Sequence, residues 1–180
     1  ANKLPVPDPL HELPVPTLAS DSVNVSGTEY GAKTIIGLPI GPQIKLYPGI
    51  YDYINIESRR VKFMPGIYII RGHHPITKHS LLLTAGEIEA EGVMFYLTNT
   101  ADYSVSSGSA DADDGEESPS NPLVGDVVPS AVVNIGLLGS RFSPLDSPTS
   151  PFHGIMFYQR RHDRRPLVFI QENLFGGGQI

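Results

Sequence analysis

Short apolar runs separated by Gly or Pro make up most of the chain between residues 23 and 97. Within the runs every second side chain is apolar, as in Tyr53-Ile54-Asn55-Ile56-Glu57. A period of two is typical of β-strands with one buried face, and the Gly and Pro residues predict turns between them. Gly and Pro number 18 and 17 of the 180 residues, which disfavours long helices. The pattern predicts an all-β protein.

Internal repetition indicates how the strands are arranged. The segment LYPGIY at 46–51 recurs as FMPGIY at 63–68, and GVMFYL at 92–97 recurs as GIMFYQ at 154–159. Repeats at this spacing predict a right-handed parallel β-helix, a solenoid whose successive turns place equivalent residues on one another. A β-sandwich or jelly roll is the alternative, but the tight Asn-Gly turns that its hairpins favour do not occur.

In the solenoid we expect Ile50 to stack on Ile67 and Tyr51 on Tyr68. The tyrosines of these runs would then form aromatic ladders, although they could equally line a face on which sugars stack. They are Tyr47, Tyr51, Tyr53, Tyr68 and Tyr96.

We expect one domain over residues 1–180 with two irregular parts. Residues 1–20 are rich in proline and predict an extended arm, because proline restricts both itself and its predecessor. Apolar side chains along the arm should contact another surface; they include Leu4, Val6, Leu10, Leu13 and Val15. Residues 99–130, rich in Ser, Asp, Gly and Pro, predict an acidic and partly mobile surface insertion.

Several of these motifs, in this order, resemble a known family. They are Asp8-Pro9-Leu10 with the LPVP segment at 13–16, the paired PGIY turns, EGVMFYLT at 91–98, GIMFYQRR at 154–161 and the closing Gly-Gly-Gly. Together they resemble the β-helical region of bacterial TadG-like proteins, which are associated with assembly of tight-adherence pili. The resemblance implies a β-helix of the cell envelope or cell exterior, and it implies no catalytic residues.

Charge and composition exclude several classes of function. The net charge is −6, and residues 91–150 carry one basic against nine acidic side chains, which argues against nucleic acid as a partner. There is no Cys, so disulfides and Cys-based metal sites are absent. No apolar run is long enough to span a membrane. We expect an extracellular or cell-surface location.

Three groups of residues are candidate binding or modification sites. The acidic run of the insertion invites Ca²⁺, although its spacing does not fit an EF-hand, and we expect no other cofactor or metal; its residues are Asp111, Asp113, Asp114 and Glu116. A basic cluster could bind an acidic ligand or a neighbouring subunit, or could simply form a turn; it comprises Arg160, Arg161, Arg164 and Arg165. Asn24-Val25-Ser26 is a sequon for N-glycosylation.

The function that these features favour is structural. A β-helix exposes unpaired backbone groups at its ends, and neither end of this sequence has a polar capping segment. Uncapped ends and the arm predict a subunit of a surface fibre or pilus-like filament that assembles with copies of itself. We do not expect an enzyme, since no nucleophile elbow or phosphate-binding glycine pattern occurs. The alternatives are an acidic-polysaccharide binding protein or lyase, with glycans as partners, and a pilus-assembly accessory protein.

Overall fold

The computed structural model describes residues 12–38, 41–57, 59–108, 128–136, 139–160, 163 and 165–171. Within these ranges there are twelve β-strands and no helix. They are β1 (Glu29–Ile36), β2 (Ile44–Leu46), β3 (Gly49–Glu57), β4 (Arg59–Phe63), β5 (Gly66–Ile70), β6 (Leu81–Leu83), β7 (Gly86–Ala90), β8 (Val93–Leu97), β9 (Ala131–Asn134), β10 (Arg141–Phe142), β11 (Phe157–Gln159) and β12 (Leu167–Ile170).

The strands form two sheets, and every pairing between these strands is parallel. One sheet has the order β11-β8-β5-β3-β6-β9-β12, with β1 also on β3, and the other has the order β10-β7-β4-β2. An isolated antiparallel bridge joins Ser104 and Gly108. The prediction of an all-β protein is confirmed. The jelly-roll alternative is not supported, because that fold pairs its strands antiparallel.

The long strand β3 curls the larger sheet. Residues 49–51 of β3 pair with β5, whereas residues 54–56 pair with β6. The strands therefore lie in three columns: a first column of β2, β4, β7 and β10, a second column of β3, β5, β8 and β11, and a third column of β3, β6, β9 and β12. Strand β1 runs along both halves of β3.

The PGIY repeats stack with an offset that the sequence did not predict. Tyr51 lies opposite Ile70 and Ile50 opposite Ile69, a shift of two residues from the expected register. Two residues are one full pleat, so the shift keeps each side chain on its expected face. The rings of Tyr51 and Tyr68 consequently still stack, with centroids 5.9 Å apart. The other repeat stacks without an offset, Phe157 on Phe95.

Two apolar clusters hold the strands together. The first combines inward side chains from both sheets, and the second lies on the outer side of β5 and β8. All residues of β5 and β8 are therefore buried, which explains why these strands read as continuous apolar runs rather than alternating ones.

The predicted arm lies against the chain as far as the structure describes it. Leu13 and Val15 are partly buried against the second cluster, beside Val105 from the loop that follows β8. The other apolar side chains of the arm, Leu4, Val6 and Leu10, lie outside the described residues. So does most of the acidic insertion, 109–127.

Close approach of neighbouring strands makes one glycine essential. A Cβ on Gly86 would lie 2.0 Å from the carbonyl oxygen of Arg59 in the adjacent strand, and its φ is +96°. Gly41 has a comparable φ of +112°, but nothing in the described part of the chain would lie within 4 Å of its Cβ. We expect Gly86→Ala to lower the free energy of unfolding by about 3 kcal/mol or more, and Gly41→Ala by about 1 kcal/mol. Equal losses for the two variants in denaturant titrations would contradict the close packing of β4 and β7.

Candidate functional site

A ladder of aromatic rings runs through the first cluster from one end of the strand stack to the other. Successive centroids are 5.0, 5.9, 5.6 and 5.5 Å apart. These separations are close to the spacing of neighbouring strands, because β1 and each strand of the second column contribute one ring. The rings belong to Tyr30, Tyr51, Tyr68, Phe95 and Phe157. The prediction of an aromatic ladder is confirmed for Tyr51 and Tyr68.

The two buried hydroxyls of the ladder donate to backbone carbonyls. Tyr51 Oη donates to the Tyr47 carbonyl over 2.7 Å, and Tyr68 Oη lies 2.8 Å from the carbonyls of both Leu46 and Met64. Burial raises the pKa of Tyr51 and of Tyr68 well above the ordinary value for tyrosine. Both phenols therefore stay neutral. Their hydrogen bonds connect the second column to residues at the ends of β2 and β4 in the first column.

We call the outer edges of β10, β11 and β12 the last end of the stack. Apolar side chains are exposed there. Among the described residues, β12 pairs only with β9. Phe169 lies over Val133, which in turn lies over Leu83, and both of these are fully buried. Phe169 itself is 49% exposed. Its exposure at a core position shows that no described residue covers the end of this column.

A second open edge lies at what we call the first end, formed by the outer edges of β1 and β2. Within the described ranges, β1 pairs only with β3, and β2 only with β4. On β1, Ile36 is 64% exposed and Tyr30, the first ring of the ladder, is 42% exposed. The two ends of the stack thus present parallel strand edges and apolar side chains.

A pocket of about 120 Å³ opens at the first end. Its lining consists of Tyr30, Lys33, Lys45, Leu46, Tyr47 and Tyr51. Lys33 lies opposite Ile54, so it occupies the position at which the later strands of the third column carry apolar residues. Neither Lys33 nor Lys45 forms an ion pair with any described carboxylate. The pocket therefore combines aromatic rings with two lysine side chains that can bind an anionic partner.

Two basic side chains between the ends are, in contrast, paired between strands. Arg60 and Lys62 of β4 each contact a glutamate of β7, Glu87 and Glu89, over 2.9 Å. The hydrogen bond from Lys62, with another from Gln43, lowers the pKa of Glu89. Lys45 lies next to Lys62 in the same register, but no strand of the described residues lies beneath it to supply a glutamate.

Two arginines of the predicted basic cluster are buried within the chain. Arg165 donates to Asp163 over 2.8 Å and to the hydroxyl of Ser80, and Arg160 is also buried. An intersubunit patch built on this cluster would therefore depend on Arg161 and Arg164, which lie outside the described residues.

The sequon asparagine joins the segment between the arm and β1 to the loop before β11. Asn24 Nδ2, the atom that would carry a glycan, donates to both carboxylate oxygens of Asp21 and to the hydroxyl of Ser147. Asp21 also accepts from the hydroxyl of Ser150. Glycosylation of Asn24 stays a prediction, and it would require these contacts to open.

No group of three or more potential metal-ligating side chains occurs in the part of the chain that the structure describes. The calcium candidates Asp111, Asp113, Asp114 and Glu116 lie outside that part. The same part of the chain contains no helix that is long and apolar enough to cross a membrane.

The features at the two ends were missed by sequence reasoning. Leu167–Ile170 reads as an ordinary buried strand, and nothing local marks Phe169 as exposed. For Lys33 the signal is its position in the sheet. It lies opposite Ile54, which lies opposite Leu81, so a lysine stands where the neighbouring strands carry apolar residues. That signal becomes readable only when the register is known.

Comparisons of this chain with family models, with curated proteins and with solved structures found no match. The TadG-like resemblance therefore stays a prediction, and the ends of the stack carry the functional argument.

The buried Asp21 carboxylate should make the stability of the chain sensitive to acid. Burial alone would raise the pKa of Asp21, but the hydrogen bonds from Ser150, Asn24 and the Val23 backbone outweigh it and lower the pKa. The stabilisation is present at neutral pH and is lost as the pH falls from about 4 through the lowered folded-state pKa. We expect Asp21→Asn to cost about 1–2 kcal/mol at pH 7 and less at pH 3, measured by urea unfolding. A cost that does not vary with pH would contradict this assignment.

Proposed function

We propose that this protein is a structural subunit that assembles end to end with copies of itself. The observation that carries the proposal is the pair of parallel edges that no described strand covers, β1 and β2 at the first end and β10, β11 and β12 at the last end. Unpaired strand edges with apolar side chains are templates for another chain. Here the two edges differ, so one end of a copy meets the opposite end of the next.

We infer that the three columns are the faces of a right-handed parallel β-helix. Strands β4, β5 and β6 pair in turn with β7, β8 and β9, and these pair with β10, β11 and β12. Pairing with the strand three elements later supports a coil of three strands per turn. Parallel crossover connections are almost always right-handed, which supports that hand.

End-to-end contact would continue both the hydrogen bonding and the core. Strand β12 of one copy would pair parallel with the third-column half of β1 in the next. Phe157 and Phe169, whose rings are 5.1 Å apart, would approach the exposed ring of Tyr30. The contact is heterologous and does not close on itself, which favours a filament over a small ring.

We propose the cellular setting of such a filament from the sequence rather than from the fold. A fibre or pilus-like structure at the cell surface accords with the TadG-like resemblance, and a pilus-assembly accessory protein accords with it equally. Immunogold labelling of intact cells separates the two, because a subunit labels along fibres whereas an accessory protein labels the envelope.

A polar substitution at the last end tests assembly. We expect Phe169→Ser to raise the protein concentration needed for assembly by about a factor of ten or more, because the exposed ring is the centre of the proposed contact. Ile76→Ser is the matched control: Ile76 is 83% exposed, but it lies in the loop between β5 and β6, away from both ends. Sedimentation velocity measures both. Equal effects, or a wild-type chain that stays monomeric at every concentration, would overturn the proposal.

The first-end pocket favours a second candidate function, binding of an acidic polysaccharide. Tyr47 is 50% exposed and could stack on a sugar ring, while Lys33 and Lys45 could contact its carboxylate. This candidate requires no catalytic group.

Calorimetric titration with polygalacturonate tests the second candidate. We expect Lys45→Ala to weaken binding about threefold to tenfold, because its ammonium has no competing described carboxylate. Lys62→Ala should have no effect, since the Lys62 ammonium is already bound to Glu89. Absence of heat with the wild-type chain, or equal losses for the two variants, argues against glycan binding at this pocket.

A further inference from the structure

The first end of the stack has a step. The larger sheet begins with β1, which lies beneath β3, whereas the smaller sheet begins with β2 and has no described strand beneath it. One strand position is therefore vacant among the described residues, at the level of β1 and under the edge of β2. We call this position the slot. The pocket at the first end adjoins the slot, and its lining includes Tyr30 and Lys33 of β1 and Lys45 of β2.

The geometry points to residues 4–10 of a second copy as the strand that fills the slot. This inference rests on the proposed end-to-end assembly and adds to it the segment that joins the copies. Residues 4–10 lie outside the described residues, so the argument uses their sequence, LPVPDPL, and the surroundings of the slot.

The proline pattern of this segment suits a strand that pairs along one edge. In a β-strand the backbone N–H groups point alternately to the two edges. Pro5, Pro7 and Pro9 therefore remove every donor from one edge, while Leu4, Val6, Asp8 and Leu10 keep every donor on the other. Such a strand can add to β2 but cannot donate to a further strand on its opposite side.

The side chains of this segment match the slot in chemistry. Leu4, Val6, Asp8 and Leu10 share one face of an extended strand, because side chains alternate with a period of two. With that face turned inward, the apolar side chains would cover Tyr30 and the end of the core. Asp8 would meet Lys33, whose ammonium has no partner among the described carboxylates.

The path of the arm favours a second copy over the same chain. The Pro16 carbonyl accepts from Tyr103, whose ring lies against Tyr96 of β8. Further along, the Asn24 carbonyl accepts from β5 and the Thr28 carbonyl accepts from β3, after which the chain enters β1. The arm thus runs from the level of β8 towards the first end. At Pro16 the arm is at the level of β8, whereas the slot of the same chain is at the level of β1, so we propose the slot of the next copy as the position that residues 4–10 fill.

The second LPVP segment of the arm, at 13–16, provides a precedent within the chain. Its Leu13 and Val15 side chains both pack against an apolar cluster, while Pro14 is exposed. The first LPVP segment, at 4–7, has the same spacing of apolar side chains and prolines.

Disulfide trapping with the 180-residue chain tests the inference, since its sequence has no cysteine. One preparation carries Asp8→Cys and the other Lys33→Cys, so any disulfide between the two variants must join separate copies. After mixing under assembly conditions and mild oxidation, we expect this mixed dimer in about tenfold higher yield than with Pro9→Cys, whose side chain would face away from the slot. Non-reducing electrophoresis measures both yields.

Charge reversal gives an independent readout. Lys33→Asp should raise the concentration needed for assembly about tenfold, and adding Asp8→Lys to the same chain should restore it, because every copy then presents the reversed pair. Failure of the second substitution to restore assembly counts against the contact between Asp8 and Lys33.

The outcomes distinguish this inference from the proposed function. A wild-type chain that assembles, while Asp8→Cys and Pro9→Cys cross-link equally or not at all, overturns strand addition and leaves end-to-end assembly intact. A chain carrying both Asp8→Cys and Lys33→Cys that forms only an internal disulfide also overturns it, because the arm then covers its own slot. A wild-type chain that never associates overturns the proposed function itself.

Discussion

Stacking of aromatic rings on neighbouring parallel strands is the constraint on which the rest of the structure depends. The ladder from Tyr30 to Phe157 passes through every strand of the second column, and its buried hydroxyls bind carbonyls near the start of the first column. A strand that slipped by one residue would turn its ring out of the ladder and leave a buried carbonyl without a donor. The ladder therefore fixes both the register of the strands and the way that the two sheets meet.

The same stacking explains why the two ends favour association with another chain. In the interior each strand is covered by the next strand, and on the outside Arg60 and Lys62 pair with glutamates of the neighbouring strand. At the two ends no described strand provides such a neighbour. Phe169 then stands exposed over a buried column, and Lys33 and Lys45 have no described carboxylate. A further copy would provide the missing neighbours.

Much of the fold could be predicted from the sequence, because alternation and repeats report directly on strands. The PGIY repeat indicated parallel stacking, but it could not give the two-residue offset of Tyr51 against Tyr68, since both registers place the same faces inward. The site was less predictable. The sequence left open whether the arginine cluster is a binding patch or a turn, and it did not indicate that Arg160 and Arg165 are buried or that Arg165 donates to Asp163 and Ser80. Sequence alone does not tell which strand is last in a stack.

X-ray diffraction from an oriented, concentrated preparation of the wild-type chain tests end-to-end assembly most directly. If copies stack along the strand-to-strand direction, the strands lie across the filament axis and the spacing of about 4.7–4.9 Å appears along that axis. Filaments in which this spacing runs perpendicular to the axis would contradict the account. So would a preparation that gives only isotropic scattering from single particles at every concentration.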